Sequence, residues 1–169
     1  MLGTRTLTLA FASCVALLAS LAGAQSKVPE KVPNSDTMVI VTDLTPKQGK
    51  LADLLKGEIA KAAKLHRTPF VQLGATWCGP CHDLESSLSD KRMIDAFAST
   101  YIIHLDVDAW KGELETFGYS ADGIPAFFAI DTTGKATGPS ITGGAWAENT
   151  VENMAPPLRK FFSEHLRPS

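Results

Sequence analysis

Cys78 and Cys81 stand three positions apart in the run Trp77-Cys78-Gly79-Pro80-Cys81-His82. Two thiols at that spacing can open and close a disulfide, supply half of a metal site, or anchor a haem. If Cys78 opens a helix, Cys81 lies about 60° around the axis and roughly 4.5 Å along it. Their Cα atoms would then be about 5 to 5.5 Å apart, inside the window that a disulfide accepts. Such a pair opens and closes with little backbone motion, and Pro80 suits a first helical turn, where a backbone N–H has no helical partner. Unpaired N–H groups and the positive dipole end at a helix start favour a thiolate, which lowers the pKa of Cys78 and makes it the attacking nucleophile. Cys78 would form a mixed disulfide with a partner, and Cys81, one turn deeper, would resolve it. This chemistry needs no cofactor.

The other two uses of the thiols make separate demands on the chain. Zinc requires a second pair of Cys or His ligands at suitable spacing. His66, His82, His104 and His165 are scattered, so no metal is expected. Haem is the sharper rival, because CGPCH fits the C-x-x-C-H attachment motif. Both thiols would be consumed as thioethers, with His82 as one axial ligand and Met93 or Met154 opposite. A bridge between such close cysteines closes almost no loop and stabilises little, so its value is chemical rather than structural.

The elements that must hold this segment follow from periodicity. Residues 38–42 are a short β-branched run, a first strand. Thr45 and Pro46 open a helix to about Leu65, with Leu51, Leu55, Ile59 and Ala62 or Ala63 on its inward face. Thr68 and Pro69 break it, and residues 70–73 make a buried strand running into Gly74 and the cysteine segment. A second helix runs from about Cys78 or Pro80 to Phe97, inward-facing at Leu84, Leu88 and Phe97, with a kink near Ser89 and Asp90. Residues 101–107 are the next strand, 110–117 a short helix and 118–123 a loop. A strand over 126–130 leads into a turn over 131–135, with Gly134 at the tight bend. A further strand over 140–142 ends at Gly143 and Gly144, and the last helix covers 148–166 despite Pro156 and Pro157. The order β, α, β, α, β, α, β, β, α predicts an α/β fold, a central mixed β-sheet flanked by helices on both faces.

At the start of the chain, Arg5 precedes an apolar run over residues 7–21 that ends in Ala22, Gly23 and Ala24. That is the layout of a secretory signal peptide cleaved after Ala24. The alternative is an uncleaved membrane anchor, because residues 7–24 come close to the length that spans a bilayer. Cys14 lies inside the run and leaves with it. Residues 25–37, polar with two prolines, read as a flexible lead-in, and residues 38–169 as a single domain with a real core. The whole chain carries 16 Lys plus Arg against 18 Asp plus Glu, a net charge of −2, and loss of Arg5 makes it one more negative. That mild acidity argues against nucleic acid as a partner. Export would place the two remaining cysteines in a periplasmic or extracellular compartment that permits disulfides. A small scaffold stapled by bridges would carry four or more cysteines.

The run WCGPC, after a strand and before a helix, resembles the thioredoxin active-site signature. Downstream, Gly123-Ile124-Pro125 resembles the cis-proline loop of that family, followed like it by a strand, a turn and a strand. The resemblance covers roughly residues 38–162. It implies the thioredoxin fold, a cis bond at Pro125, and backbone hydrogen bonds from Ile124 to an incoming extended peptide. Trp77, Gly79 and Pro80 would support the sulfurs, with Trp77 as an apolar shield and docking surface. There are two departures. The buried Asp that cytoplasmic thioredoxins carry six residues before the first cysteine falls on Gln72, and its lysine partner falls on His104. Gln72 cannot accept a proton from Cys81, so either His104 takes part of that role, since imidazole titrates in the working range, or it is an inert core histidine. His82, four residues after Cys78, either favours the Cys78 thiolate when protonated or is a solvated surface residue.

Among exported relatives the arrangement looks like the thioredoxin-like domains of thiol:disulfide interchange and cytochrome-maturation proteins. Those mostly reduce disulfides of exported proteins and are fed by a membrane-bound thiol donor. The Gly-Pro dipeptide resembles that of reducing thioredoxins, near −270 mV, rather than that of the oxidant near −120 mV. A monomeric disulfide reductase is the expectation, with a redox-inert binding or chaperone module on the same fold as a further alternative.

Overall fold

The computed structural model describes residues 38–167. The signal peptide expected over residues 1–24 and the lead-in over 25–37 lie outside these described residues. In chain order the elements are β1 (Val41–Leu44), α1 (Leu51–Lys64), β2 (Thr68–Gly74), α2 (Gly79–Ser87), α3 (Lys91–Ala96), β3 (Thr100–Asp106), β4 (Ala126–Ala129), β5 (Ile141–Thr142) and α4 (Val151–His165). Short 3-10 turns occur at Pro46–Gln48, Leu114–Phe117 and Gly143–Ala145. The strands form one mixed sheet in the order β1-β3-β2-β4-β5. β3 is parallel to both β1 and β2, while β4 is antiparallel to β2 and β5 to β4.

Side chains alternate across a strand, and here the alternation feeds two cores. Val71, Leu73, Ile103, Leu105, Ala126 and Phe128 point to one face, where Leu51, Leu55 and Ala62 of α1 join Trp110. Phe70, Ile102, Phe127 and Ala129 point to the other, where Leu84 of α2, Met93 of α3 and Met154, Leu158, Phe161 and Phe162 of α4 cover them. Each such large side chain contributes roughly 1.5–3 kcal/mol when fully buried. All seven residues of β2 are buried, so the strand that leads to the cysteines is clamped from both faces and both edges.

Several elements differ from expectation for local reasons. The first strand lies further along than residues 38–42. The first helix is divided: Thr45 N–H donates to Gln48 Oε1 at 2.6 Å and closes a 3-10 turn. Gly49 then takes φ +143, a conformation that L side chains rarely adopt, and α1 begins only at Leu51. The second helix is two helices rather than one kinked one. Asp90 caps α3 by accepting from Arg92 N–H at 2.8 Å, an N-cap that starts a new axis. Thr68 and Pro69 open β2 instead of breaking the chain before it. Pro69 lies ahead of Phe70, where pairing with β4 begins, so its missing N–H leaves that ladder intact. Residues 110–117 form turns and one 3-10 turn rather than a helix. α4 carries Pro156 and Pro157 in its interior; the carbonyls they leave without helical donors belong to Glu152 and Asn153, both on exposed residues, where water can satisfy them.

Candidate active site

β2 ends at Gly74, and the chain turns through Ala75, whose carbonyl accepts from Cys78 N–H at 3.1 Å. Cys78 is the N-cap of α2, with an extended backbone at φ −81 and ψ 102, and Pro80 sits in the first turn. Cys78 and Cys81 are joined in a disulfide with their Cα atoms 5.2 Å apart. Cys78 is 3% exposed and Cys81 7%, packed with Ala75, Val107 and Ile124. The amide of Cys81 points at Cys78 Sγ from 3.2 Å. Once the bridge is reduced, that N–H and the helix start stabilise a thiolate at Cys78, since a hydrogen bond to the charged form favours it. Cys81, a turn inside the helix, has no such cap.

The Ile124–Pro125 peptide is cis. It places the Ile124 carbonyl oxygen 3.7 Å from Cys78 Sγ, and Gly143 N–H holds the Pro125 carbonyl at 3.0 Å. Trp77 is 66% exposed, and its Nε1–H donates to Asp108 Oδ2 at 2.7 Å. Asp108 is fixed in turn, because its amide donates to Asp106 Oδ1 at 2.9 Å. Beside the sulfurs these groups border an open groove of about 400 Å³ lined by Trp77, Val107, Tyr119, Gly123 and Ile124, with Lys111 on its rim. α2 is tethered on its far side, where Asn149 accepts from Trp146 Nε1–H and donates to Asp83, both at 3.0 Å.

Behind Cys81 lies a second hollow of about 380 Å³. Gln72 and His104 are cross-strand neighbours on its floor, and Cys81, His82 and Glu85 of α2 border it with Asp43 of β1. Gln72 is 9% exposed. The His104 side chain is 26% exposed, and its Nδ1 lies 2.6 Å from Asp43 Oδ1. His82 is exposed on the α2 flank of this hollow.

The structure thus gathers Trp77, Cys78, Gly79, Pro80, Cys81, Ile124 and Pro125 around one disulfide, and Gln72, His82 and His104 around the hollow behind it. Sequence reasoning passed over Asp43, Asp108 and the role of Gly74. Nothing local marks them: Asp43 reaches His104 only through the parallel register of β1 on β3. Met93 and Met154, which haem attachment would need as an opposite ligand, are both 0% exposed in the core beneath α3 and α4. Among the described residues no group of three His, Cys, Asp or Glu side chains could hold a metal ion, and no helix is long and apolar enough to cross a membrane.

No protein-family model matches the chain. Over 109 residues it is 30% identical to protein disulfide isomerase-like 5-3 of Oryza sativa subsp. japonica, a match that covers 64% of this chain. The chain spans about a quarter of that relative's length, 25%. Among solved structures, the disulphide isomerase from Xylella fastidiosa Temecula1 aligns with a TM-score of 0.51 at 24% identity, covering 69% of this chain and 92% of that one. A point mutant of a thioredoxin from Halobacterium salinarum NRC-1 aligns at 0.49 and 14% identity, over 82% and 98% of the two chains. The mixed sheet flanked by helices, with the cysteine pair at the start of α2, is a thioredoxin fold.

Proposed function

We propose that this thioredoxin-fold protein is a thiol-disulfide oxidoreductase that reduces disulfides in exported proteins. The observation that carries the reading is the placement of the Cys78–Cys81 bridge: it sits at a helix start, with the Cys81 amide on Cys78 Sγ and the Ile124 carbonyl at 3.7 Å. In the reduced protein the Cys78 thiolate attacks one sulfur of a substrate disulfide, forming a Cys78–substrate bond and releasing the other substrate sulfur as a thiolate. Cys81 then gives up its proton and attacks Cys78 Sγ. The internal bridge forms, the second substrate sulfur leaves, and two electrons have passed to the substrate. Trp77 and the groove beside it take an extended segment of the substrate, with the Ile124 backbone as its hydrogen-bonding edge.

The direction rests on the Gly-Pro dipeptide between the cysteines, and the location on the signal-like pattern of residues 1–24. An exported reductase needs a source of electrons, for which a membrane-bound thiol donor is the natural class. The protein acts as a monomer and without nucleic acid.

Insulin reduction tests the activity: the wild type should accelerate it, and Cys78→Ser should fall to the uncatalysed rate. Undiminished reduction by Cys78→Ser would overturn the reading, as would a Soret band in the absorption spectrum of the purified protein. A redox titration against glutathione tests the direction. A potential near about −270 mV supports reduction, and one near about −120 mV would make the protein an oxidant.

A further inference from the structure

We propose that His104 and Asp43 form a proton-transfer station for Cys81, the resolving cysteine, reached through the passage that Gly74 leaves open. The inference deepens the oxidoreductase reading and rests on it. Resolution of the mixed disulfide requires Cys81 to lose a proton at a site where it is 7% exposed and packed against Ala75 and Cys78. Burial in apolar surroundings raises a thiol's pKa. A proton acceptor within reach would remove that obstacle, and Gln72, on the floor of the hollow, carries an amide that cannot serve.

His104 can. A methyl group placed on Gly74 would stand 2.6 Å from His104 Nε2 and 3.7 Å from Cys81 Sγ. The ring nitrogen and the sulfur therefore flank one small space, no farther apart than those two distances laid end to end. One bridging water spans any separation within that bound that is too long for a direct hydrogen bond. The tautomer follows from the other ring nitrogen. An ionised carboxylate only accepts hydrogen bonds, so the 2.6 Å contact with Asp43 has Nδ1–H donating to Oδ1. Nε2 is left with its lone pair on the Cys81 side.

The step balances. The Cys81 proton passes through the water to Nε2 and the thiolate attacks Cys78 Sγ. The Cys78–Cys81 bond forms as the Cys78–substrate bond breaks, and the departing substrate thiolate takes a proton from solvent. The imidazolium, neutralised by Asp43, returns its proton to water through the open hollow. Asp43 is a positioning residue, and being 74% exposed at its side chain it gives that proton a short way out. Other groups face His104 from each neighbouring element. α2 contributes Glu85 and His82, and β2 contributes Gln72. On β3 itself, Asp106 Oδ1 accepts the amides of Asp108 and Ala109 at 2.9 Å.

The test is stopped-flow reaction of the reduced protein with dithiobis(nitrobenzoate). The first equivalent of thionitrobenzoate reports attack by Cys78 and the second reports resolution by Cys81. For His104→Gln we expect an unchanged first phase and a second phase slowed about a hundredfold at neutral pH, the low end of what a positioned base supplies. The defect should close as pH rises into the thiol range. Asp43→Asn should slow the second phase less. Gly74→Ala should slow it with His104 still present, because a methyl group 2.6 Å from Nε2 and 3.7 Å from Cys81 Sγ pushes the ring away from the sulfur. An unchanged second phase in His104→Gln, or a slowing equal at every pH, would overturn the proposal. A wild type that releases one equivalent only would overturn the oxidoreductase reading beneath it.

Discussion

Reducing the Cys78–Cys81 bridge should destabilise the protein, by an amount the structure bounds. The cysteines are three apart in sequence, so the bridge closes a loop of about four residues. The chain-entropy relation gives about 2 kcal/mol at 25 °C for so short a loop. Against this, the reduced state gains a charge-assisted hydrogen bond from the Cys81 amide to the Cys78 thiolate, offset by the burial of that sulfur at 3% exposure. The oxidised form should therefore be more stable by about 1–2 kcal/mol. Guanidinium unfolding followed by tryptophan fluorescence, with and without reductant, measures the gap, and the Cys78→Ser/Cys81→Ser double variant serves as a bridge-free reference. By the thermodynamic cycle each 1.4 kcal/mol is about 30 mV, so a gap near 2 kcal/mol puts the folded dithiol about 40 mV below its unfolded counterpart. That is the sign expected of a reductant. A reduced form more stable than the oxidised one would refute the reasoning, since the fold would then be driving the dithiol towards oxidation of its partners.

Phe162 touches the rings of Phe70, Phe97, Phe127 and Phe161 at centroid distances of 4.8, 4.7, 5.4 and 5.6 Å and is 1% exposed; Phe162→Ala should cost about 3–5 kcal/mol in denaturant unfolding, and a loss under about 1 kcal/mol would deny α4 its anchoring role. Burial, with the Glu58 carboxylate 2.6 Å from its hydroxyl, pushes the Tyr101 pKa up to about 12 from an ordinary value of 10.0. A raised folded-state pKa means the native state holds the proton longer, so this stabilisation is complete below pH 10 and is lost as pH climbs towards 12. Tyr101→Phe should flatten that part of the alkaline slope and leave the share of Tyr119, whose pKa burial also raises; an unchanged slope would contradict it. Trp77→Ala should lower kcat/KM for protein disulfides about tenfold, the scale of one aromatic anchor lost from a docking surface. Its reaction with a small aromatic disulfide should stay close to wild type, and equal losses on both substrates would remove Trp77 from docking.

The strand before the cysteines and the helix after them were legible because composition and motif agree. Residues 70–73 read as a buried strand, and WCGPC placed after it resembles a signature that opens a helix. Boundaries were less legible where one residue decides them. Gly49 at φ +143 and the Asp90 cap each divide what periodicity reads as one helix. Pro69 reads as a breaker and sits instead at the start of β2, ahead of the β4 ladder. Of the site, the sulfurs, Trp77 and Ile124-Pro125 could be named from sequence because their spacing is local or resembles a known pattern. Asp43 and Gly74 could not: one depends on the register of β1 on β3, the other on how close a ring from the next strand comes.

The most direct measurement is the covalent trap. Reduced Cys81→Ser and Cys78→Ser variants are each mixed with a disulfide-bonded peptide and followed by intact mass spectrometry. Cys81→Ser should accumulate a one-to-one mixed disulfide through Cys78, while Cys78→Ser should form none on the same timescale. An adduct that forms as fast through Cys81 alone, or through neither cysteine, would contradict the assignment of Cys78 as nucleophile and Cys81 as resolver.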